Sequence, residues 1–179
     1  MEMVITDTKI MNDISNEFCN RPVRDNDADS SNRTRPDAQF YFKIKSSTDQ
    51  ITRTVQKFDQ LLENHNYCSS RTKSELATAL SEALANAIIH GNKINPEKFV
   101  DLKIMIYKDR MIMMIKDKGS GFNYEELPSP LKPENIKKTT GRGVYLMSVL
   151  VDKVKFIRQK DGMEVILIKY LPKRNRYRN

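Results

Sequence analysis

Between Glu75 and Asn92 the chain reads ELATALSEALANAIIHGN, and this stretch limits the possible folds more than any other. Leu76, Leu80, Ala83, Leu84, Ala87 and Ile88 recur at helical spacing, so they predict a helix with one apolar face. Thr72 or Ser74 would start that helix and Gly91 would end it. Such a helix must lie against a sheet or another helix to bury that face. Glu82, Asn86 and His90 follow one another at four-residue intervals, which stacks them on one face among small and apolar neighbours. A polar stripe set in a largely buried surface needs partners.

The flanking sequence supplies the layer for this helix to cover. Phe40, Phe42 and Ile44 alternate with Tyr41, Lys43 and Lys45, the period of a half-buried strand. Ser47 or Thr48 would cap a helix carrying Ile51, Val55, Phe58, Leu61 and Leu62. Two strands, Val100 to Tyr107 and Met111 to Lys116, would form an antiparallel hairpin with Asp109-Arg110 at its turn. Pro128, Pro130 and Pro133 make residues 123–140 an irregular loop. A helix from Gly143 to Val151 and a last hairpin, Val154 to Arg158 and Met163 to Tyr170 joined at Asp161-Gly162, complete the pattern. The expected class is α+β, an antiparallel-rich sheet with helices on one face.

Residues 20–38 are polar and poor in large apolar groups, as in a linker. Ahead of them, Ile10, Ile14 and Phe18 sit at four-residue spacing, the face of a short helix able to dock on the domain or a partner. The division is therefore a flexible extension over 1–38, a domain over 39–171 and a basic tail over 172–179. The formal charge is +8, but residues 1–38 hold eight acids and five bases, so the surplus lies beyond them. A basic tail of this kind is weak ground for nucleic-acid binding, and none is expected. No run is apolar enough to span a membrane. Cys19 and Cys68 form no metal or disulfide framework, which suits a reduced cytoplasmic protein.

Three segments carry chemistry. In the first, the Asn86 amide oxygen is a hard donor suited to magnesium, and Glu82 one turn earlier can take a proton from a hydroxyl. Alone, both residues also suit the solvent face of an amphipathic helix. In the second, Asp117-x-Gly119-x-Gly121-Phe122 follows a strand. Its glycines allow close backbone approach, and its carboxylate can accept from an adenine amino group. In the third, Thr139-Thr140-Gly141-Arg142-Gly143-Val144 opens a helix whose free amides and dipole suit phosphate.

In this order and with these gaps, the array Glu82-x-x-x-Asn86-x-x-x-His90-Gly91, Asp117-x-Gly119-x-Gly121 and Gly141-x-Gly143 resembles the N, G1 and G2 boxes of the GHKL (Bergerat-fold) ATPase superfamily. The stretch from Ser81 to Gly91 is most similar to the anti-sigma factor serine/threonine-protein kinases. It differs from sensor histidine kinases, since no phosphoacceptor-His box precedes it. It also differs from gyrase, chaperone and mismatch-repair members, since Ala85 and Ala87 rather than Asp flank Asn86.

The resemblance implies a two-layer α/β sandwich with a mixed, mostly antiparallel sheet and helices on one face. It implies ATP and Mg2+ as cofactors, Glu82 as general base and Asn86 as magnesium ligand. Nucleotide contacts would come from Asn86, His90, Asp117, Gly119, Gly121, Phe122, Thr139, Thr140, Gly141, Arg142, Gly143 and Val144, with residues 123–140 as ATP lid. The implied function is an anti-sigma factor that binds a sigma factor and phosphorylates a serine of a STAS-type antagonist, as a homodimer. The rival reading is a non-catalytic ATP-binding regulatory module.

Overall fold

The computed structural model describes residues 35–65, 68–119 and 142–171. Along the chain run β1 (Ala38–Lys45), α1 (Asp49–His65), α2 (Ser70–Ala85), a π-helical turn (Asn86–Gly91), β2 (Phe99–Ile106) and β3 (Arg110–Lys116). Then follow α3 (Arg142–Leu150), β4 (Lys153–Gln159) and β5 (Gly162–Tyr170). The class is α+β, with a five-stranded sheet in the order β1-β2-β3-β5-β4.

Among the described residues all four strand pairings are antiparallel, so no parallel pair makes this sheet mixed as the resemblance implied. The connections explain this. Two helices carry the chain away from β1 and back, so β2 enters antiparallel to it. Among the described residues α3 lies between β3 and β4, and those two strands run parallel without being neighbours, because β5 lies between them and pairs antiparallel with both.

Alternation along the strands sends Phe40, Phe42 and Ile44 of β1, Leu102 and Ile104 of β2, and Val165 and Leu167 of β5 to the helical side. There they meet Phe58 and Leu62 of α1, the Leu76, Leu80 and Leu84 ridge of α2, Ile88 of the π-turn, and Met147 of α3. Burying each such side chain stabilises the fold by about 1.5–3 kcal/mol relative to exposure. Both faces of β3 are buried. Met111, Met113 and Ile115 join the helical core, while Ile112 and Met114 join a second cluster on the opposite face with Met105, Tyr107, Ile166 and Ile168. That is why β3 reads as a continuous apolar run instead of alternating.

Several boundaries differ from the sequence reading. Ala38 already pairs with Ile106, so β1 begins inside the segment read as extension. The second helix starts at Ser70, not at Thr72 or Ser74, because the Ser69 side chain accepts the Thr72 N–H at 3.3 Å and caps it. The β2–β3 turn centres on Lys108-Asp109, closed by Tyr107 N–H donating to the Arg110 carbonyl at 2.8 Å. Arg110 is a buried strand residue stacked 4.2 Å from the Tyr107 ring and paired with Asp109 at 2.9 Å. The last hairpin turns at Lys160-Asp161, since Gly162 pairs with Gln159 within the ladder. The helix read as Gly143 to Val151 runs from Arg142 to Leu150. The Ile10, Ile14 and Phe18 stripe, the 123–140 loop and the 172–179 tail lie outside the described residues.

Candidate active site

The apolar ridge of α2 fixes which way its polar residues face. With Leu76, Leu80, Ala83 and Leu84 fully buried against the sheet, Glu82 and Asn86 fall on a half-buried flank. Past Ala85 the helix widens into the π-turn, where Asn92 N–H donates to the Ala87 carbonyl at 2.8 Å, five residues back. Such widened turns often mark functional positions. The altered winding breaks the four-residue stripe: His90 is exposed, not set in a buried surface as the sequence suggested.

Two carboxylates on α2 have different fates. Glu75 is fully engaged, with Arg71 at 2.9 Å and Lys169 at 2.7 Å, and both cations hold its carboxyl below the usual range. It ties α2 to β5. Glu82 is half-buried, and it has no ion pair or hydrogen bond among the described residues. The Asn86 amide nitrogen is buried and without a hydrogen-bond partner among the described residues. An orphaned buried amide costs about 1–3 kcal/mol and calls for a ligand. Rotating that amide presents its oxygen at the same place, a donor that fits magnesium. No group of three or more His, Cys, Asp or Glu side chains among the described residues could hold a metal. A magnesium ion here would be held by Asn86.

The start of α3 closes over this pair. A Cβ placed on Gly143 would lie 2.7 Å from a Glu82 carboxylate oxygen and 3.6 Å from the Asn86 amide nitrogen. Only glycine lets the amide end of α3 come this close. Arg142 is exposed beside it, and Val144 packs against the helical core.

Asp117 lies at the far end of the π-turn, against Gly91. It leaves β3 almost fully buried, and burial pushes its carboxyl pKa up, opposed by hydrogen bonds from the Gly119 and Met163 amides and by Lys98. Gly119 N–H donates to Oδ1 at 2.7 Å and Met163 N–H at 3.4 Å, which leaves Oδ2 to accept from a ligand amino group. Glycines wall it in. A Cβ on Gly91 would meet the Asp117 carboxyl at 2.5 Å, and one on Gly119 would meet the Gly91 carbonyl at 2.1 Å. One on Gly162, whose φ is +153°, would meet the Asp117 carbonyl oxygen at 1.8 Å.

Two contributors escaped the sequence reading. Gly162 was read only as a turn residue. Asn92 is fully buried, and its amide nitrogen donates to Ser46 Oγ at 2.7 Å and to the Phe99 carbonyl at 3.1 Å. Its oxygen accepts the Lys118 N–H at 2.8 Å, so one amide anchors the loop that presents Asp117. Its place directly after the Gly91 helix end was the available signal. Gly121, Phe122, Thr139, Thr140 and Gly141 lie outside the described residues. Of the described candidates, Glu82, Asn86, Arg142, Gly143 and Val144 gather at one end of the π-turn and Asp117 and Gly119 at the other, beside Gly91, while His90 is exposed on the turn itself.

The sequence profile of the histidine kinase-like ATPase domain matches residues 44–169. The chain is 36% identical over 107 residues to the anti-sigma F factor of Bacillus cytotoxicus, covering 57% of this chain and 72% of that protein. It is 30% identical over 103 residues to the serine-protein kinase RsbW of Bacillus subtilis, covering 54% of this chain and 64% of the relative. It is 36% identical over 102 residues to RsbW of Staphylococcus epidermidis, covering 53% and 64%. Less than two thirds of either RsbW is thus spanned. In fold it is similar to the solved RsbU and RsbW domains of Rv1364c from Mycobacterium tuberculosis. The TM-score is 0.56 at 12% identity, over 76% of this chain and 34% of that one.

Proposed function

The chain belongs to the histidine kinase-like ATPase domain family, and from that premise we propose that it is an ATP-dependent protein-serine/threonine kinase acting as an anti-sigma factor. The observation that carries this reading is the approach of Gly143 to Glu82 and Asn86 while Gly91 and Gly119 enclose Asp117. Segments distant in sequence thereby meet at the two ends of the π-turn, with a carboxylate at each end.

Asp117 Oδ2 accepts the adenine amino group, and Gly91 and Gly119 leave room for the base. Asn86 would hold a magnesium ion, whose charge would offset that of the phosphate oxygens. The amides of α3 from Gly143 and Val144, with Arg142, receive the phosphates. Glu82 takes the proton of the acceptor serine hydroxyl as its oxygen bonds to the γ-phosphorus. The bond to the bridging oxygen breaks, and its electron pair leaves with ADP. Gly121, Phe122, Thr139, Thr140 and Gly141 complete the pocket and lid in this proposal, with the exposed His90 among the nucleotide contacts. The domain comprises 39–171, flanked by an extension and a basic tail. The partners are a sigma factor and a STAS-type antagonist bearing the acceptor serine. The protein acts as a cytoplasmic homodimer. Among the described residues, no helix is long and apolar enough to cross a membrane.

The test is transfer of labelled γ-phosphate from magnesium-ATP to a STAS-domain protein by the intact chain and by Glu82→Ala. Transfer by the intact chain, lost in Glu82→Ala with nucleotide binding retained, supports the kinase. Binding without transfer in both proteins would overturn it in favour of a non-catalytic module.

A further inference from the structure

On β5 a lysine stands where the strand pattern calls for an apolar side chain. Val165 and Leu167 belong to the helical core, and the next position on the same side is Lys169, whose strand partner Met111 is also a core residue. A cation on this side of the sheet needs partners. Lys169 finds them on two different helices. Its Nζ lies 2.7 Å from Glu75 Oε2 of α2 and donates to the carbonyl of Leu150, the last residue of α3, at 2.8 Å. The second contact satisfies one of the carbonyls that a helix end leaves without an intrahelical partner. It also sets positive charge at the negative end of the helix dipole.

The spacing of these contacts along the two helices matches the spacing at the candidate site. Glu75 precedes Glu82 by seven residues on α2, and Gly143 precedes Leu150 by seven on α3. Seven residues rise roughly 10 Å and fall about 20° short of two full turns, so each pair shares one flank of its helix. Lys169 joins the two flanks at one end, between Glu75 and Leu150. At the other end Gly143 comes so near that a Cβ there would sit 2.7 Å from the Glu82 carboxylate. The helices therefore run antiparallel, with arms of equal length between the lysine and the site. A helix held at Leu150 has its other end fixed as well. Released there, α3 can slide or tilt along α2, and the displacement reaches Gly143.

We propose, resting on the kinase reading above, that Lys169 is a positioning residue: its double contact with Glu75 and Leu150 sets α3 in register with α2 and so holds the Gly143 end beside Glu82 and Asn86. Arg71 shares Glu75 at 2.9 Å but has no hydrogen bond or ion pair to α3 among the described residues, so it stands outside this clamp.

Two measurements on the full chain test this in Lys169→Met, Lys169→Arg and Arg71→Ala. One is hydrogen exchange without nucleotide, read by mass spectrometry. The other is phosphotransfer from magnesium-ATP to a STAS-domain protein. Lys169→Met keeps the apolar stem and loses both contacts. Its α3 amides should exchange at least about tenfold faster, with β2 and β3 unchanged, because the loosening is local. Its kcat should fall at least about tenfold while KM for ATP changes by under about threefold, since the Asp117 end is untouched. Lys169→Arg can still donate to both oxygens and should restore both readouts, and Arg71→Ala should leave them as in the native chain. Unchanged α3 exchange or unchanged kcat in Lys169→Met would overturn the proposal. So would faster exchange spread over the whole sheet, a loss that Lys169→Arg does not restore, or an equal loss in Arg71→Ala. A native chain that transfers no phosphate would sink the kinase reading by itself, and exchange at α3 would then decide the clamp.

Discussion

Gly119 and Gly143 both abut the candidate site, yet adding a methyl group should do different damage at each. At Gly143 the obstacle is the far end of the Glu82 side chain, 2.7 Å away, which can swing aside. Gly143→Ala is expected to change stability by under about 0.5 kcal/mol. Moving the carboxylate should still lower phosphotransfer about tenfold or more, near 1.4 kcal/mol of barrier. At Gly119 the obstacle is the Gly91 main chain at 2.1 Å, so Gly119→Ala should cost about 1–3 kcal/mol and take nucleotide binding with it. Denaturant unfolding and a transfer assay on both variants check the contrast. Asp117→Asn probes the other end. Burial raises the carboxyl pKa, so the native residue is least costly when protonated, below the ordinary carboxylate range. That advantage is lost as pH rises through the raised pKa. The variant should therefore match the native chain in stability at acid pH and exceed it at neutral pH, while losing its ATP-induced rise in melting temperature. A variant less stable at neutral pH than at acid pH, relative to the native chain, would contradict the buried-charge account.

Between elements, the joints are made by groups that periodicity does not report. Asn92 links the end of β1, the start of β2 and the loop after β3 through Ser46, Phe99 and Lys118. Asn92→Ala leaves buried polar partners unsatisfied and should cost about 2–3 kcal/mol, with weaker ATP binding, by denaturant melts and calorimetric titration. The α2 ridge and both hairpins were legible because each is a local pattern of spacing. Asn92 was not, since its partners lie 46, 7 and 26 residues away in sequence. The π-turn was hidden because Ala87 and Ile88 keep apolar spacing whichever way the helix winds. Arg110 was read as a turn residue because its charge suggests solvent, whereas stacking on Tyr107 pays for its burial. Lys93 and Ile94, with φ of 58° and 56°, were equally silent, since a β-branched residue is a poor marker for left-handed backbone.

At the scale of the molecule, one helical layer on one sheet means that core and cleft share residues. Leu84 and Ile88 pack the core from the helix that holds Glu82 and Asn86. Nucleotide binding and unfolding should therefore be coupled through a single transition. Magnesium-ATP at about a hundred times its dissociation constant should raise the unfolding free energy by about 2.7 kcal/mol. A thermal melt that resolves two transitions, only one of which responds to ATP, would refute that coupling. The uninterrupted run from Ser70 through Gly91 also acts as a gauge. Glu82 and Gly91 mark its two graduations, roughly 13 Å apart at helical rise. The span between the reacting end and the base end is thus counted out in residues along one rod, with no loop to take up slack. A one-residue insertion that any surface loop would absorb would here miscalibrate the rod, turning one graduation about a quarter-turn from the other.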